Sequence, residues 1–449
     1  MNYLRHMIDG AFGVSLFARI KIDPLTLVPN QSARIPAWLR AMLAGLGAYA
    51  SAEAANRVVR LCAVFVIARH LDSGLLGSAA LALSLFEIMR ALTNAGIGQR
   101  IITASAQELE AICRTAHMLF WRICLGVAAL QLALATMLFF ISGQSEAAMM
   151  LAVLSLVYLV MPPGLVPVFL VMRSGKLGTT ARISATQSML DHILTMVLVL
   201  AWPGSWAIIL PKLLTAPVWT MLARKAHRWE YDGTIAPAPV REFSAYAAGI
   251  LGSEILGAVR LQGDKILIAA LLGNSALGLY YFAFNAGLGI TQTLTGAFNT
   301  VLLPHLCLAK AGTERTRRLG IALIISLCAL VPLVAIQVFL APWYVPILFG
   351  AHWQNAARPL AMLAMAGIPL LCASALGAHF RANSKPVNEA WLNSAATLAA
   401  LALLALGSLT SITLACAGYT LGLALVFIPA AFLILRPHTI FLSDKGVLA

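Results

Sequence analysis

Between residues 40 and 435 the chain is a succession of apolar segments, from 40–68 to 411–435. Each is near the ~20 residues a helix needs to cross a bilayer. Hydrocarbon offers backbone amides no water to bond, so segments of this kind become helices. Twelve can be drawn, six on either side of the polar stretch Arg224–Glu242, which contains Pro237 and Pro239. The expectation is an all-α polytopic membrane protein of about 12 transmembrane helices in two pseudo-symmetric six-helix lobes. Its parts are a segment 1–39, a first lobe 40–224, a linker 225–242, a second lobe 243–436 and a tail 437–449. Within 1–39, Phe12–Ile22 reads either as an interfacial amphipathic stretch or as part of a poorly ordered tail.

Charge sets the orientation. Of the 31 Lys and Arg residues, most fall in alternate connections: Arg5, Arg19, Lys21, Arg34 and Arg40 at the start, then Arg100 and Arg114, then Arg173, Lys176 and Arg182. The pattern continues through Arg224–Arg241, Lys310–Arg318, Arg381 with Lys385, and Arg436 with Lys445, while the intervening connections hold none. The positive-inside rule then places both termini in the cytoplasm. It also accounts for the formal net charge of +14 without a nucleic-acid partner. With 11% charged residues, against about 25% in soluble domains, little soluble mass is expected. The seven cysteines are scattered without a C-x-x-C pair, so neither a zinc site nor a disulfide framework is indicated. No short apolar region precedes the first long run near Met42, and no cleavable signal peptide is expected.

Several spans carry ionisable groups, each costing roughly 2.5–3.5 kcal/mol to insert at the helix centre, which points to function or pairing. Glu53, Asn56, Arg57 and Arg60 share one face of the first span, at i, i+3, i+4 and i+7. They form either a Glu53–Arg57 lock between helices or a cationic, hydrated wall. Glu87, Arg90 and Asn94 repeat the spacing in the second span, where Glu87 and Arg90 are also able to satisfy each other. In the seventh span Glu254, Arg260, Asp264 and Lys265 spread over an arc of roughly 140°, the width of a helix lining a cavity. Arginine forks match phosphate oxygens, so Arg57, Arg60, Arg90, Arg260 and Lys265 are candidates for binding a pyrophosphate or other anion. Glu53, Asp264, Glu254 and Asp191 are candidates for ion coupling or charge balance. Asp191 with His192 forms either a proton relay or a satisfied polar pair. Lys212, between Pro211 and Pro217, lies on a span that those prolines kink. Trp343, Tyr344 and Trp353 read as an interfacial aromatic belt on the outside.

The halves also share a weak repeat. At a constant offset, Ile67–Ala82 (IARHLDSGLLGSAALA) falls on Ile268–Ala283 (IAALLGNSALGLYYFA), matching Leu76 with Leu277 and Gly77 with Gly278. Parallel repeats with an even number of spans place a substrate between them. No P-loop, H-E-x-x-H or G-x-S-x-G occurs, and no outside connection is long enough for a catalytic domain. Neither a cofactor, a metal nor an enzyme activity is expected.

Val58–Ala82 (VVRLCAVFVIARHLDSGLLGSAALA) resembles the first signature of the polysaccharide-transporter, or repeat-unit flippase (Wzx-type), family. Asp264–Ala283 (DKILIAALLGNSALGLYYFA) resembles the second. The family belongs to the multidrug/oligosaccharidyl-lipid/polysaccharide (MOP) exporter superfamily, and the resemblance runs from about Ala41 to Arg436, departing at His70-Leu71-Asp72, where Leu-Gly-Pro is common. It implies two MATE-like six-helix lobes that alternate between inward- and outward-open states in the bacterial inner membrane. The implied substrate is an undecaprenyl-pyrophosphate-linked oligosaccharide, moved by ion or proton coupling. Implied partners are membrane lipids, a polysaccharide polymerase and chain-length or export machinery. Two alternatives stand beside it: a drug/cation antiporter of the same superfamily, for which a net acidic cavity is expected, and a membrane-bound polymerase or glycosyltransferase.

Overall fold

In the computed structural model, residues 55–93, 96–307 and 312–435 are described; segments 1–39 and 437–449, with Glu53 and Asn94, lie outside them. Among the described residues the regular elements are all helical. The first half contains α1 (55–70), α2 (Ser73–Ala91), α3 (Ile97–Thr103), α4 (Leu109–Ser142), α5 (Ser145–Leu154), α6 (Val157–Val160), α7 (Pro162–Arg173), α8 (Leu177–Ala201) and α9 (Trp206–Ala226). The second contains α10 (Arg241–Leu272), α11 (Asn274–Ala283), α12 (Gly289–Cys307), α13 (Thr313–Phe349), α14 (Ala357–Met365), α15 (Gly367–Ala382), α16 (Pro386–Ser408) and α17 (Ile412–Ile434).

Eight of the helical stretches are long and apolar enough to cross a membrane, and nine if α5–α6 and α7 count as one span bent by 57°. That bend falls where Pro162 and Pro163 remove backbone donors. The other three spans are α1, described from residue 55 only; α10, which carries the ionisable cluster; and α11–α12, continuous through a π-helical turn at Phe284–Leu288. Among the described residues the total is about twelve, as expected. Large side chains such as Phe140, Phe339, Leu398 and Phe432 are exposed on these helices. That is the surface a bilayer wets and water does not.

The repeat found in the sequence has a geometric counterpart. α2 crosses α11 so closely that a Cβ on Gly77 would meet the carbonyl of Asn274, and one on Gly278 would meet the carbonyl of Ser73. The offset that matches Gly77 with Gly278 also matches Ser73 with Asn274, so the two contacts are images of one another, as at an isologous interface. Small residues at such crossings let backbones approach. The turns before the two helices differ in chemistry. Asp72, where the family pattern is broken, caps α2 by accepting the Leu75 amide at 2.8 Å. Its counterpart Gly273 instead adopts φ of 83° between α10 and α11.

This end of the bundle, the hairpin end, has further ties. Trp353 Nε1 donates to the Ala68 carbonyl at 2.6 Å and is fully buried, with His352 Nε2 3.1 Å from the same oxygen. Trp353 is therefore an internal anchor and not the belt residue its position suggested, whereas Trp343 is exposed. Arg69 donates to the Leu348 carbonyl at 2.9 Å, near the end of α13, where unsatisfied carbonyls favour a cation. At the opposite, linker end, Arg100 bonds Glu242 at 2.7 Å and Glu108 at 3.4 Å, joining α3 to the first turn of α10. The non-helical stretch 227–240 folds back on α4. The Ala238 amide donates to the Ala111 carbonyl at 3.2 Å, and Thr115 Oγ1 donates to the Ala238 carbonyl at 2.8 Å.

Gly77→Ala and Gly278→Ala are each expected to lower stability by about 1–3 kcal/mol, the usual cost of overpacking. Gly74→Ala, whose Cβ would stand 3.4 Å from Asp72 Oδ1 and 3.8 Å from Ser275 Oγ, should be tolerated. Thermal unfolding of the purified variants checks the contrast.

Candidate functional site

The crossing of α2 and α11 brings α1, α2, α8 and α9 of the first half against α10 and the π-turn of the second. Between them lies a cavity of about 450 Å³, within the usual range for ligand sites. Its polar lining comprises Asn56 and Arg60 of α1, Ser84 and Glu87 of α2, and Ser188, Asp191 and His192 of α8. Thr195 of α8, Lys212 of α9, Gln262 and Lys265 of α10, Tyr281 of α11, Asn285 of the π-turn and Gln292 of α12 complete it. Three cations, Arg60, Lys212 and Lys265, thus face two carboxylates.

Each cation is held differently. Lys265 Nζ donates to the Leu261 carbonyl at 2.7 Å and to Asp264 Oδ1 at 3.2 Å, and sits 4.5 Å from the centroid of the Phe284 ring. The side chains of Lys265 and Asp264 are 6% and 1% exposed. Tyr280 donates to the other oxygen, Asp264 Oδ2, at 2.7 Å. The π-turn matters here because it sets Phe284 beneath the ammonium, adding a cation–π contact. Lys212 Nζ bonds Asp191 Oδ2 at 2.8 Å, while the buried Asp191 Oδ1 has no hydrogen-bond partner among the described residues. Arg60 is half-buried, its Nη2 3.6 Å from where a Cβ on Gly289 would stand.

Of the candidate anion-binding and coupling residues, the structure brings Arg60, Lys265 and Asp191 to this cavity. Arg57 lies beside it: its Nη1 donates to the Gln292 carbonyl at 2.9 Å, and its guanidinium fills the space a side chain at Gly296 would need. Arg90 is 52% exposed, forms an ion pair with Glu87 at 2.6 Å, and lines an adjoining chamber of about 370 Å³. Arg260 is exposed, Glu254 is half-buried, and neither lines these two cavities. The broad polar arc of α10 is thus divided. Successive side chains on a helix diverge by 100°, and Asp264 and Lys265 turn into the protein while Arg260 does not. Asp264 itself is turned away from the cavity and held by Tyr280.

The Asp191–His192 relay is not the geometry adopted. Asp191 pairs with Lys212 across helices, its carboxylate taking a charge-assisted bond from the ammonium at 2.8 Å. Sequence reasoning noted Lys212 only for its flanking prolines. The available signal was a lysine amid an apolar span facing a span with a lone aspartate, since buried charges come in pairs.

Such an arrangement suits an anion whose charge is spread over several oxygens. Arg60 carries a planar fork, Lys212 is oriented by a carboxylate, and Lys265 by a carboxylate and a backbone carbonyl, so neither ammonium is free to snorkel.

A model of the family described as polysaccharide biosynthesis protein matches residues 66–358. Two curated relatives are similar in sequence. The succinoglycan biosynthesis transport protein ExoT of Rhizobium meliloti (strain 1021) is 26% identical over 328 residues, covering 70% of this chain and 64% of the relative. The lipopolysaccharide biosynthesis protein WzxC of Escherichia coli (strain K12) is 23% identical over 333 residues, covering 71% and 65%. The chain thus spans just under two thirds of the length of either relative. Among solved structures, the lipid II flippase MurJ in an inward closed conformation has a TM-score of 0.72 at 12% identity, covering 86% of both chains. An inward-facing multidrug resistance MATE family transporter of the MOP superfamily has a TM-score of 0.61 at 14% identity, covering 87% of this chain and 96% of that one. These likenesses establish a shared fold: an all-α polytopic membrane protein built like MOP-superfamily transporters. Because the family model accounts for well over half of its residues, the chain belongs to the polysaccharide biosynthesis protein family.

Proposed function

We propose that the protein is a flippase for an undecaprenyl-pyrophosphate-linked oligosaccharide repeat unit, serving exopolysaccharide or O-antigen synthesis in the bacterial inner membrane. The observation that carries this reading is the cavity where Arg60, Lys212 and Lys265 meet inside an apolar bundle. A lipid-linked sugar keeps its tail in hydrocarbon while its charged head crosses, and a hydrated cationic path lowers the cost of that crossing. The names of the two relatives, a succinoglycan transport protein and a lipopolysaccharide biosynthesis protein, support the same reading.

In this proposal the lobes are 40–224 and 243–436, joined by the linker 225–242, with both termini in the cytoplasm. The hairpin end, shut by Gly77 and Gly278, then faces the periplasm. The linker end, bridged by Arg100 and Glu242, faces the cytoplasm. Alternating access requires one set of ties to open as the other forms. Asp191 is the coupling carboxylate that the geometry favours, because it lines the cavity with one oxygen on Lys212 and the other without a partner. Asp264, bound by Lys265 and Tyr280, balances charge, and Glu254 remains outside the seat. A polymerase and chain-length or export machinery would take up the product. A cation antiporter is disfavoured by the excess of bases over acids in the cavity. A polymerase is disfavoured because the longest non-helical stretch among the described residues, 227–240, is at the linker end.

Deleting the gene is expected to leave cells that assemble the lipid-linked repeat unit but show no surface polymer. Full display by such cells, in the absence of a second flippase, would refute the proposal. In proteoliposomes, Arg60→Ala should slow flipping roughly ten- to a hundredfold, as expected for losing a bond to a charged group worth about 1.5–3 kcal/mol. Arg260→Ala should change it by no more than about twofold, the usual limit for a surface substitution.

Asp264→Ala should be far more damaging to the fold. It strands a buried ammonium, which costs about 3–5 kcal/mol. Combining Asp264→Asn with Lys265→Met should recover most of the melting temperature while leaving transport impaired.

A further inference from the structure

The adjoining chamber is built wholly from the first half of the chain, by α2, α6–α9 and the residues between them. Along one wall run Thr180, Ser184, Gln187, Ser188 and Asp191 of α8, at i, i+4, i+7, i+8 and i+11, a single face of a helix. That face offers hydroxyls, an amide and a carboxylate. The chamber is also lined by aromatic surface from Trp219 and Phe86. The Trp219 indole is pressed on Gly164, where a Cβ would come within 2.9 Å of Cζ3, so its position is fixed by backbone.

Two buried polar atoms on this lining make no hydrogen bond to any described residue: Asp191 Oδ1 and Thr215 Oγ1. Their side chains are deeply enclosed, the carboxylate 8% exposed and Thr215 1% exposed as a residue. Buried groups of this kind ordinarily have partners. The chamber's two cations, Arg90 and Lys212, are both held by carboxylates, Glu87 and Asp191. An anion therefore gains little here, and a lipid tail would have to cover a polar helix face. A sugar ring fits both walls. Its hydroxyls donate to Asp191 and exchange bonds with the hydroxyl and amide side chains, while its C–H face packs on indole, which combines an apolar body with a polar edge.

The Lys212–Asp191 pair belongs to both cavities and stands between them. We propose that this chamber is the saccharide subsite. The sugar nearest the lipid sits between the polar face of α8 and Trp219, and the pyrophosphate lies across the Lys212–Asp191 pair, on the side of Arg60 and Lys265. This inference rests on the flippase reading and assigns glycan selectivity to the first half of the chain.

The test compares equilibrium binding of two lipids to the purified full-length protein by native mass spectrometry. One is undecaprenyl pyrophosphate. The other is the lipid-linked repeat unit extracted from cells lacking the protein. The wild type should prefer the glycosylated lipid by about tenfold or more, equivalent to about 1.4 kcal/mol. Gln187→Ala combined with Trp219→Ala, and separately Ser184→Trp, which fills the chamber, should abolish that preference without weakening undecaprenyl pyrophosphate. Trp219→Phe should restore part of it. A preference that survives both chamber variants would overturn the proposal, as would an equal loss of both lipids by variants that melt like the wild type. A wild type that binds neither lipid would overturn the flippase reading itself.

Discussion

Charge that has been removed from water must find charge again, and the interior of this bundle is arranged around that requirement. Lys265 finds Asp264, with Tyr280 on the far oxygen; Lys212 finds Asp191. Either pair broken singly leaves an ion in a low dielectric, a penalty of several kcal/mol. Kept whole, each fixes a direction in space. The first lies within α10, and the Tyr280 hydroxyl on Asp264 ties it to α11. The second joins α8 to α9 and leaves one carboxylate oxygen uncommitted inside the first half.

The two pairs differ in how much they are able to yield. Lys265 is gripped by a carbonyl, a carboxylate and a ring, so its charge is a fixed feature of the cavity wall. Lys212 bonds one carboxylate oxygen, that of Asp191, and is 34% exposed at its side chain, within reach of anything that enters from either chamber. An incoming dianion competes with Asp191 for Lys212 far more easily than with Asp264 for Lys265. If Lys212 moves to the ligand, Asp191 loses its counter-charge and is left with neither oxygen bonded.

Much of this was legible in the chain. Span length and the placement of Lys and Arg indicated a twelve-helix bundle, and the repeat aligned Gly77 with Gly278 without showing that the two helices cross there. Lys265 and Arg60 could be chosen because charge within an apolar span is rare. What remained hidden was direction. Helical periodicity puts Arg260 and Asp264 one turn apart and near each other on the surface, but only packing decides which of them faces inward. Lys212 and Asp191 lie on adjacent spans of modest hydropathy, and nothing local in either states that the two meet. Trp353 looked interfacial because it follows two aromatic residues near a span end; the 3₁₀ turn Ala351–Ala356 folds it inward instead.

The reciprocal contact of Gly77 and Gly278 carries a last implication. The atoms that forbid a side chain at either position are main-chain carbonyls, of Asn274 and Ser73. Every amino acid supplies the same oxygen there. No exchange of neighbouring side chains makes room, so a lesion at one glycine has no intragenic suppressor among its direct contacts. If the halves arose from one ancestral unit, this is a constraint neither copy can relax on behalf of the other. Sequence drift is free to erase most of the likeness between the halves while leaving the two glycines in register.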